Sequence, residues 1–198
     1  MPLIFRYGPM NVAKTAHLLM EAFAYRSTKK QAIIVKLSVD TRSGLDKVWS
    51  RVPNLENKAD ITLNTTQLLS DKLLLNNDDN GGCIFIDEAQ FLDPKQAYDI
   101  VRLSMNRRVV CYGLLTDYTG QLFAASSVLI AMADEKQEIK GICEYCTHES
   151  LFSHKLEYTE ELDKYQTVII GAADKYAGVC KQCFLKLNEH RFDHLKIQ

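Results

Sequence analysis

The 198 residues carry a formal net charge of −1, with 24 Lys and Arg against 25 Asp and Glu, and 46% of them are hydrophobic. This is a globular composition, and its balanced charge argues against nucleic acid as the main partner, because binding a phosphate backbone requires a basic surface. The sequence has no run of about 18 apolar residues, which excludes a membrane span. The apolar part of the first ten residues is too short for a signal peptide, so we expect a cytoplasmic protein.

The chain begins with a strand, a loop and a helix. Residues 3–7, LIFRY, are apolar enough for a short strand, and residues 14–27 place apolar side chains at helical spacing. Between these two elements lies the sequence GPMNVAKT. A strand that leads through a loop into a helix is the context that a phosphate-binding loop requires.

The loop sequence matches the phosphate-loop pattern G-x-x-x-x-G-K-[ST] at Gly8, Lys14 and Thr15, but Ala13 replaces the second glycine. In such a loop backbone N–H groups bind phosphate, the lysine reaches the outer phosphates and the hydroxyl binds Mg²⁺. If residue 13 needs a positive φ, alanine costs about 1 kcal/mol there, and its methyl group could crowd a phosphate. We therefore expect a modestly weakened phosphate loop.

Three further segments follow before the next motif. Residues 31–39 predict a strand buried on both faces of a parallel sheet. Residues 40–63 are polar with scattered apolar anchors and predict a long connection. A helix is expected over residues 65–77, with Thr65 or Thr66 as its N-cap.

A second strand end carries two acids. The apolar segment CIFI at 83–86 is followed by Asp87 and Glu88. An acid at the end of a buried strand is the second half of a phosphate-loop site, where it helps to hold Mg²⁺. The neighbouring glutamate can then act as a general base on the group that attacks the γ-phosphate.

The alternation continues with a helix that starts at the N-cap Asp93 and the first-turn Pro94, and then with a buried strand over residues 107–115. Alternating strands and helices predict an α/β fold with a parallel sheet and ligands at the carboxyl ends of its strands. The phosphate loop and the two acids should therefore meet at one edge.

After residue 140 the pattern changes to short polar segments with C-x-x-C pairs, so we expect two domains, 1–140 and 141–198. Cys83 and Cys111 lie in apolar strands and should be buried thiols. Two C-x-x-C pairs can close around a structural zinc ion, although their spacer exceeds the common range of about 15–20 residues. The four predicted zinc ligands are Cys143, Cys146, Cys180 and Cys183. Nearby histidines should be solvated surface residues: His148, His190 and His194.

Taken together, these segments resemble the type II thymidine kinases over nearly the whole chain. The resemblance is carried by YGPMNVAKT, VDTR, FIDEAQFL, CYGLLTDYTGQLF, IKGICEYC and VIIGAADKYAGVCKQC, in this order. It implies a RecA-like parallel sheet with helices on both faces, plus a small zinc-ribbon-like domain with a lid loop. It also implies transfer of the γ-phosphate of ATP to the 5′-hydroxyl of thymidine, inhibition by thymidine triphosphate, and a homotetramer.

The resemblance assigns roles to residues that match the motifs. Glu88 would be the general base, and Thr15 would hold Mg²⁺. The phosphate-binding set would be Gly8, Pro9, Met10, Asn11, Val12, Ala13, Lys14, Thr15, Asp40, Arg42, Asp87 and Gln90. The nucleoside-binding set would be Met10, Phe91, Leu114, Tyr118, Phe123, Thr167, Val168, Ile169, Ile170, Gly171 and Tyr176.

The sequence departs from the family pattern in three places. Ala13 and Ala172 replace glycines, and Leu115 stands where many bacterial members carry arginine. Two other functions stay open at this point. One is a RecA-like ATPase in which Glu88 activates water, and the other is a relic that binds nucleotide without turnover because of Ala13.

Overall fold

The computed structural model describes residues 1–41, 44, 46–75, 82–156 and 175–189. Within them, six strands form one sheet in which every neighbouring pair is parallel. In chain order these strands are β1 (Leu3–Tyr7), β2 (Ala32–Leu37), β5 (Ile61–Leu63), β6 (Cys83–Ile86), β7 (Arg108–Gly113) and β8 (Glu135–Glu138). Their order across the sheet is β5-β2-β6-β7-β1-β8.

Helices cover both faces of this sheet. The helices are α1 (Lys14–Ser27), α2 (Leu69–Leu75), α3 (Pro94–Ser104) and α4 (Ala124–Met132), with a 3₁₀ turn at Ala89–Phe91. Side chains of α2, α3 and α4 join one hydrophobic core, and those of α1 join the other. Alternate residues of β1 join the two cores: Leu3 and Phe5 face one, and Ile4 faces the other. The predicted α/β architecture is confirmed.

Short elements complete the described chain. An antiparallel hairpin is formed by β3 (Lys47–Trp49) and β4 (Glu56–Lys58). After β8 come β9 (Gly141–Ile142), β10 (Glu149–Ser150), β11 (Phe152–Lys155), β12 (Tyr176–Val179) and α5 (Lys181–Leu187). We call residues 141–156 and 175–189 the cysteine unit. It has a small core of its own, in which the rings of Phe152 and Phe184 stack with centroids 4.7 Å apart.

Two sequence predictions need correction. The connection 40–63 is not a plain loop, because it contains the β3–β4 hairpin and the sheet strand β5. The helix expected from Thr65 begins instead at Leu69, and the Ser70 N–H donates to Asp99 Oδ2 on α3 at 3.0 Å. Thr66 N–H and hydroxyl both donate to Asn64 Oδ1, which makes a turn rather than a cap.

Other local predictions agree with the structure. The N-cap of α3 is Asp93, which forms a capping box with Gln96. Pro94 takes the first helical position. None of the helices that the structure describes has the length and apolarity needed to cross a bilayer.

Candidate active site

The phosphate loop joins the carboxyl end of β1 to the first turn of α1. A side chain is excluded at Gly8, because a Cβ there would lie 2.1 Å from the carbonyl oxygen of Ile139. Ala13 is the N-cap of α1 and has φ 57° and ψ 30°, and Asn11 also has a positive φ, of 67°. The position of the missing glycine therefore does require left-handed backbone, and alanine costs about 1 kcal/mol in it.

Lys14 folds back over this loop. Its Nζ donates to the carbonyl oxygens of Gly8 at 3.1 Å and Pro9 at 2.6 Å. The ammonium group is thereby fixed at the open side of the loop, next to the N-terminus of α1. Both features favour an anion at this place.

Thr15 and Asp87 bring the two strand ends together, as the sequence predicts. The Thr15 hydroxyl lies 3.1 Å from Asp87 Oδ2 and 3.3 Å from Oδ1. Asp87 follows β6 and is only 4% exposed. A hydroxyl and a carboxylate are hard oxygen donors of the kind that Mg²⁺ prefers, so this pair could hold that ion.

Glu88 lies beside this pair in left-handed backbone, with φ 52° and ψ 39°. Its Oε2 accepts a hydrogen bond of 2.7 Å from Gln90 Nε2. The other end of that amide, Gln90 Oε1, accepts from the Leu114 N–H at 2.9 Å. The candidate base is thus connected through one amide to the end of β7.

A cavity of about 520 Å³ lies over the loop. It is lined by three groups of residues: 10–15 of the phosphate loop, Glu88 with Leu114, and 49–53 at the tip of the β3–β4 hairpin. The sequence pattern did not predict the hairpin. The one sequence signal for the hairpin was Trp49, the single tryptophan of the chain, which stands in a polar stretch. In the structure this residue is 42% exposed.

The hairpin tip also contacts the loop directly. Arg51 Nη1 donates to Asn11 Oδ1 at 2.6 Å. On its other side Asn11 contacts the cysteine unit, because its Nδ2 donates to the Tyr176 carbonyl at 3.2 Å. Met10 does the same, since its N–H donates to Ser153 Oγ at 3.0 Å. The loop is therefore held between the hairpin and the cysteine unit.

Asp40 does not belong to the described lining of the cavity. It is 5% exposed, and its Oδ2 lies 3.9 Å from the Nζ of buried Lys36. Lys36 also donates to the carbonyls of Gly44 at 2.8 Å and Lys47 at 2.6 Å. This buried lysine connects Asp40 to the base of the hairpin, while Arg42 lies outside the described residues.

The predicted nucleoside-binding residues are divided among several places. Met10 and Leu114 line the cavity. Phe91 and Phe123 form an edge-to-face pair with centroids 6.2 Å apart, and the rings of Tyr118 and Tyr176 lie 6.5 Å apart. These four aromatic residues are not among its described lining, and residues 167–171 lie outside the described chain.

The four C-x-x-C cysteines converge. The sulfur atoms of Cys143, Cys146, Cys180 and Cys183 all lie within 4.8 Å of one another. Two of these contacts measure 3.6 and 3.8 Å. A tetrahedral ion with bonds of about 2.3 Å to sulfur has edges of about 3.8 Å, whereas a disulfide requires about 2.05 Å. The group therefore fits a tetrahedral metal ion.

The pKa values of the thiols reflect the close contact of the four cysteines. Burial acts to raise the pKa of Cys143, but hydrogen bonds from the backbone of Cys180 and Tyr145 and from other thiols lower it to about 6. The side-chain hydrogen bond with Cys180 is the main cause that raises the pKa of Cys183 to about 12. All four groups could be thiolates together only with a cation to compensate their charge, and a bound metal ion would supply it. Exposed His148 has its Nδ1 3.3 Å from Cys146 Sγ, so it flanks the group.

The two remaining cysteines behave as the sequence predicts. Cys83 in β6 and Cys111 in β7 are fully buried in the sheet. Burial is the main cause that raises the pKa of Cys83 to about 12, and it raises the pKa of Cys111 as well. Both are therefore packing residues without thiolate reactivity.

Comparison with known proteins gives a consistent result. The family model described as thymidine kinase matches residues 1–184. The thymidine kinase of Vibrio vulnificus is 32% identical over 182 residues, which cover 91% of this chain and 94% of that protein. The thymidine kinase of Chromobacterium violaceum is 34% identical over 185 residues, covering 92% and 97%. That of Streptococcus gordonii is 32% identical over 186 residues, covering 93% and 96%. The chain belongs to the thymidine kinase family.

Proposed function

We propose that the protein transfers the γ-phosphate of ATP to the 5′-hydroxyl of thymidine and so forms thymidine monophosphate. One observation carries this proposal: the phosphate loop and Glu88 line the same cavity, and Asp87 is hydrogen-bonded to Thr15 beside them. Family membership supplies the substrates. Phosphoryl transfer depends mainly on positioning and charge neutralisation, and this arrangement can provide both.

The loop would bind the triphosphate of ATP. The positive end of the α1 dipole and the Lys14 ammonium favour negative charge at the same place. Lys14 would exchange its present carbonyl partners for β- and γ-phosphate oxygens, which are stronger acceptors for an ammonium. The proposed phosphate-binding set is residues 8–15 together with Asp40, Arg42 and Asp87. Gln90, which the resemblance adds to this set, bonds Glu88 instead.

Thr15 and Asp87 would hold the Mg²⁺ that accompanies ATP. When bound, this ion would neutralise charge on the transferred phosphoryl group. The short distance between the two side chains and the burial of Asp87 support the assignment, because ligands that are already positioned lose little entropy on binding.

Glu88 would accept the proton of the 5′-hydroxyl as that oxygen attacks the γ-phosphorus. Its place in the lining of the cavity that Lys14 and Thr15 also line supports this role. The hairpin tip and the nucleoside lid would exclude water, which would otherwise compete with the hydroxyl for the phosphate. The proposed nucleoside-binding set is Met10, Phe91, Leu114, Tyr118, Phe123, residues 167–171 and Tyr176.

The four clustered cysteines would bind one structural zinc ion. All four ligands would come from the protein, which leaves no open position for substrate, so the ion would stabilise rather than catalyse. We propose the corresponding division into an ATP-binding domain, 1–140, and a zinc and nucleoside-lid domain, 141–198. The separate core of the cysteine unit supports this division.

Three further properties are proposed from the family. Thymidine triphosphate would inhibit the enzyme by occupying both its nucleoside and its phosphate sites. The protein would be a cytoplasmic homotetramer. Met20 and Phe23 on α1 are 64% and 73% exposed, and they would be covered in such an assembly.

The direct test is release of ADP at saturating Mg²⁺, with and without thymidine. We expect release that depends on thymidine and is matched by thymidine monophosphate. ADP release without thymidine would contradict the proposal and indicate an ATPase. No release from folded, metal-loaded protein would indicate a relic.

A further inference from the structure

Gln90 is a buried amide whose two ends are both engaged. It lies in the 3₁₀ turn that follows Glu88 and is 3% exposed. Its Nε2 donates to Glu88 Oε2 at 2.7 Å, and its Oε1 accepts from the Leu114 N–H at 2.9 Å. The side chain therefore spans from the candidate base to the residue that follows β7.

The orientation of this amide is determined by chemistry. The backbone N–H of Leu114 can only donate, so it must face the amide oxygen. The NH₂ group must then face the Glu88 carboxylate, which can accept. Reversing the amide would place donor against donor at one end and acceptor against acceptor at the other.

The end of β7 leaves space for this side chain. A Cβ at Gly113 would lie 2.7 Å from Gln90 Oε1 and 3.1 Å from Gln90 N. Any larger residue at Gly113 would therefore push the amide away from its partners. Glu88 itself is in left-handed backbone, directly before the 3₁₀ turn that holds Gln90.

We propose that Gln90 is a positioning residue that acts through Glu88, rather than a direct ligand of the phosphates. A hydrogen bond to one carboxylate oxygen fixes the rotation of the whole group and therefore the place of the oxygen that takes the proton. The same amide connects Glu88 to Leu114, whose side chain lines the cavity. This inference rests on the proposed function, because it requires Glu88 to be the base.

The decisive variant is Gln90→Glu. It keeps an oxygen for the Leu114 N–H and the size of the side chain, but it replaces the donor that faces Glu88 by an acceptor. We expect kcat to fall about 10- to 100-fold, while KM for thymidine and for ATP changes less than about threefold. Gln90→Ala removes the amide without adding charge and should show the same separation of kcat from KM.

A double-mutant cycle separates positioning from a structural role. In a Glu88→Gln background, Gln90→Glu should lower kcat by less than about twofold, because the base that Gln90 positions is already absent. A structural defect would instead multiply with the loss of the base. Gln96→Glu is the matched control: Gln96 is 2% exposed, and its amide bonds the Asn64 and Gln67 carbonyls away from the cavity. It should lower the melting temperature and leave kcat of the folded enzyme unchanged.

Three outcomes would overturn the inference while leaving the proposed function intact. A raised KM for ATP with unchanged kcat would make Gln90 a nucleotide ligand. Full activity in both Gln90 variants would remove any role, and a multiplicative cycle would leave only a structural one. If wild type forms no thymidine monophosphate, or Glu88→Gln keeps full activity, the proposed function or its base is wrong and the inference falls with it.

Discussion

The phosphate side of the site and the cysteine unit hold their binding groups in different ways. On the phosphate side, Lys14, Thr15 and Asp87 stand at the ends of elements that are packed into the two large cores of the sheet. The cysteine unit has only a small core, and two of the buried residues in it are the cysteines themselves. A large core can position a site by packing alone, whereas a small one needs an additional link such as a metal ion.

The difference has a consequence where the two regions meet. Met10 and Asn11 of the phosphate loop bond Ser153 and Tyr176 of the cysteine unit. Loss of structure in the cysteine unit should therefore alter the phosphate loop, but it should leave the sheet intact.

Among the variants that compare the two regions, the largest expected effect is on the phosphate side. Lys14→Met should lower kcat by about 10²–10³-fold, because it removes one fixed charge from the transferred group. Thymidine binding, measured by calorimetry, should change little. The control Lys95→Met replaces an exposed lysine of α3 and should keep the wild-type kcat. Equal activity in the two variants would show that Lys14 does not act on the phosphates.

The next effect concerns the metal. Wild type should contain about one zinc per chain by elemental analysis, and Cys143→Ser should contain much less. Hydrogen exchange should then show loss of protection in β9–β12 and retained protection in β1, β6 and β7, because the sheet has its own core.

The control for this experiment is Cys83→Ala, which alters a buried strand thiol outside the cysteine group. It should keep the zinc and lose stability of the sheet. Simultaneous loss of protection in the sheet and in the cysteine unit of Cys143→Ser would contradict the separation of the two regions.

A smaller effect is expected at the hairpin. Arg51→Ala removes the 2.6 Å hydrogen bond to Asn11 and should raise KM for ATP by up to about fivefold, with kcat unchanged. Lys47→Ala instead breaks an exposed ion pair, in which the side chains of Lys47 and Glu56 are 50% and 47% exposed. This variant should change KM for ATP by less than about twofold. Steady-state kinetics on both variants would show whether the hairpin tip contributes to nucleotide binding.

The smallest effect is at the missing glycine. Ala13→Gly removes the strain of alanine in left-handed backbone and should raise the free energy of unfolding by up to about 1 kcal/mol. Ala24→Gly, on the exposed side of the same helix, should lower it by about 1 kcal/mol. Denaturant unfolding gives both values, and the same sign for the two variants would show that residue 13 is not strained.

The phosphate side was readable from sequence because its signals are local. Strand, loop and helix follow one another over residues 3–27, and the acids directly follow β6. The cysteine group could be predicted for a similar reason, since the spacing of the two C-x-x-C pairs marks the four cysteines that come together. The alternation of strands and helices was then enough to predict that the two strand ends lie close together.

The parts that the sequence did not reveal depend on tertiary partners. β8 has the sequence EKQE, is exposed throughout, and is a strand only because it pairs with β1. The cap of α2 comes from Asp99, on another helix. Arg51 meets Asn11 across 40 positions, and the bond of Gln90 to Leu114 also closes only in the fold. No local pattern carries such contacts.

The central claim is that the carboxylate of Glu88 accepts the proton of the thymidine 5′-hydroxyl at the phosphate loop. The most direct measurement is transfer of labelled γ-phosphate from ATP to thymidine by wild type and by Glu88→Gln, with ATP affinity measured for both. We predict labelled thymidine monophosphate from wild type, a loss of about 10²–10⁴-fold in Glu88→Gln, and equal ATP affinity. No labelled monophosphate from wild type, or wild-type transfer by Glu88→Gln, would contradict the account.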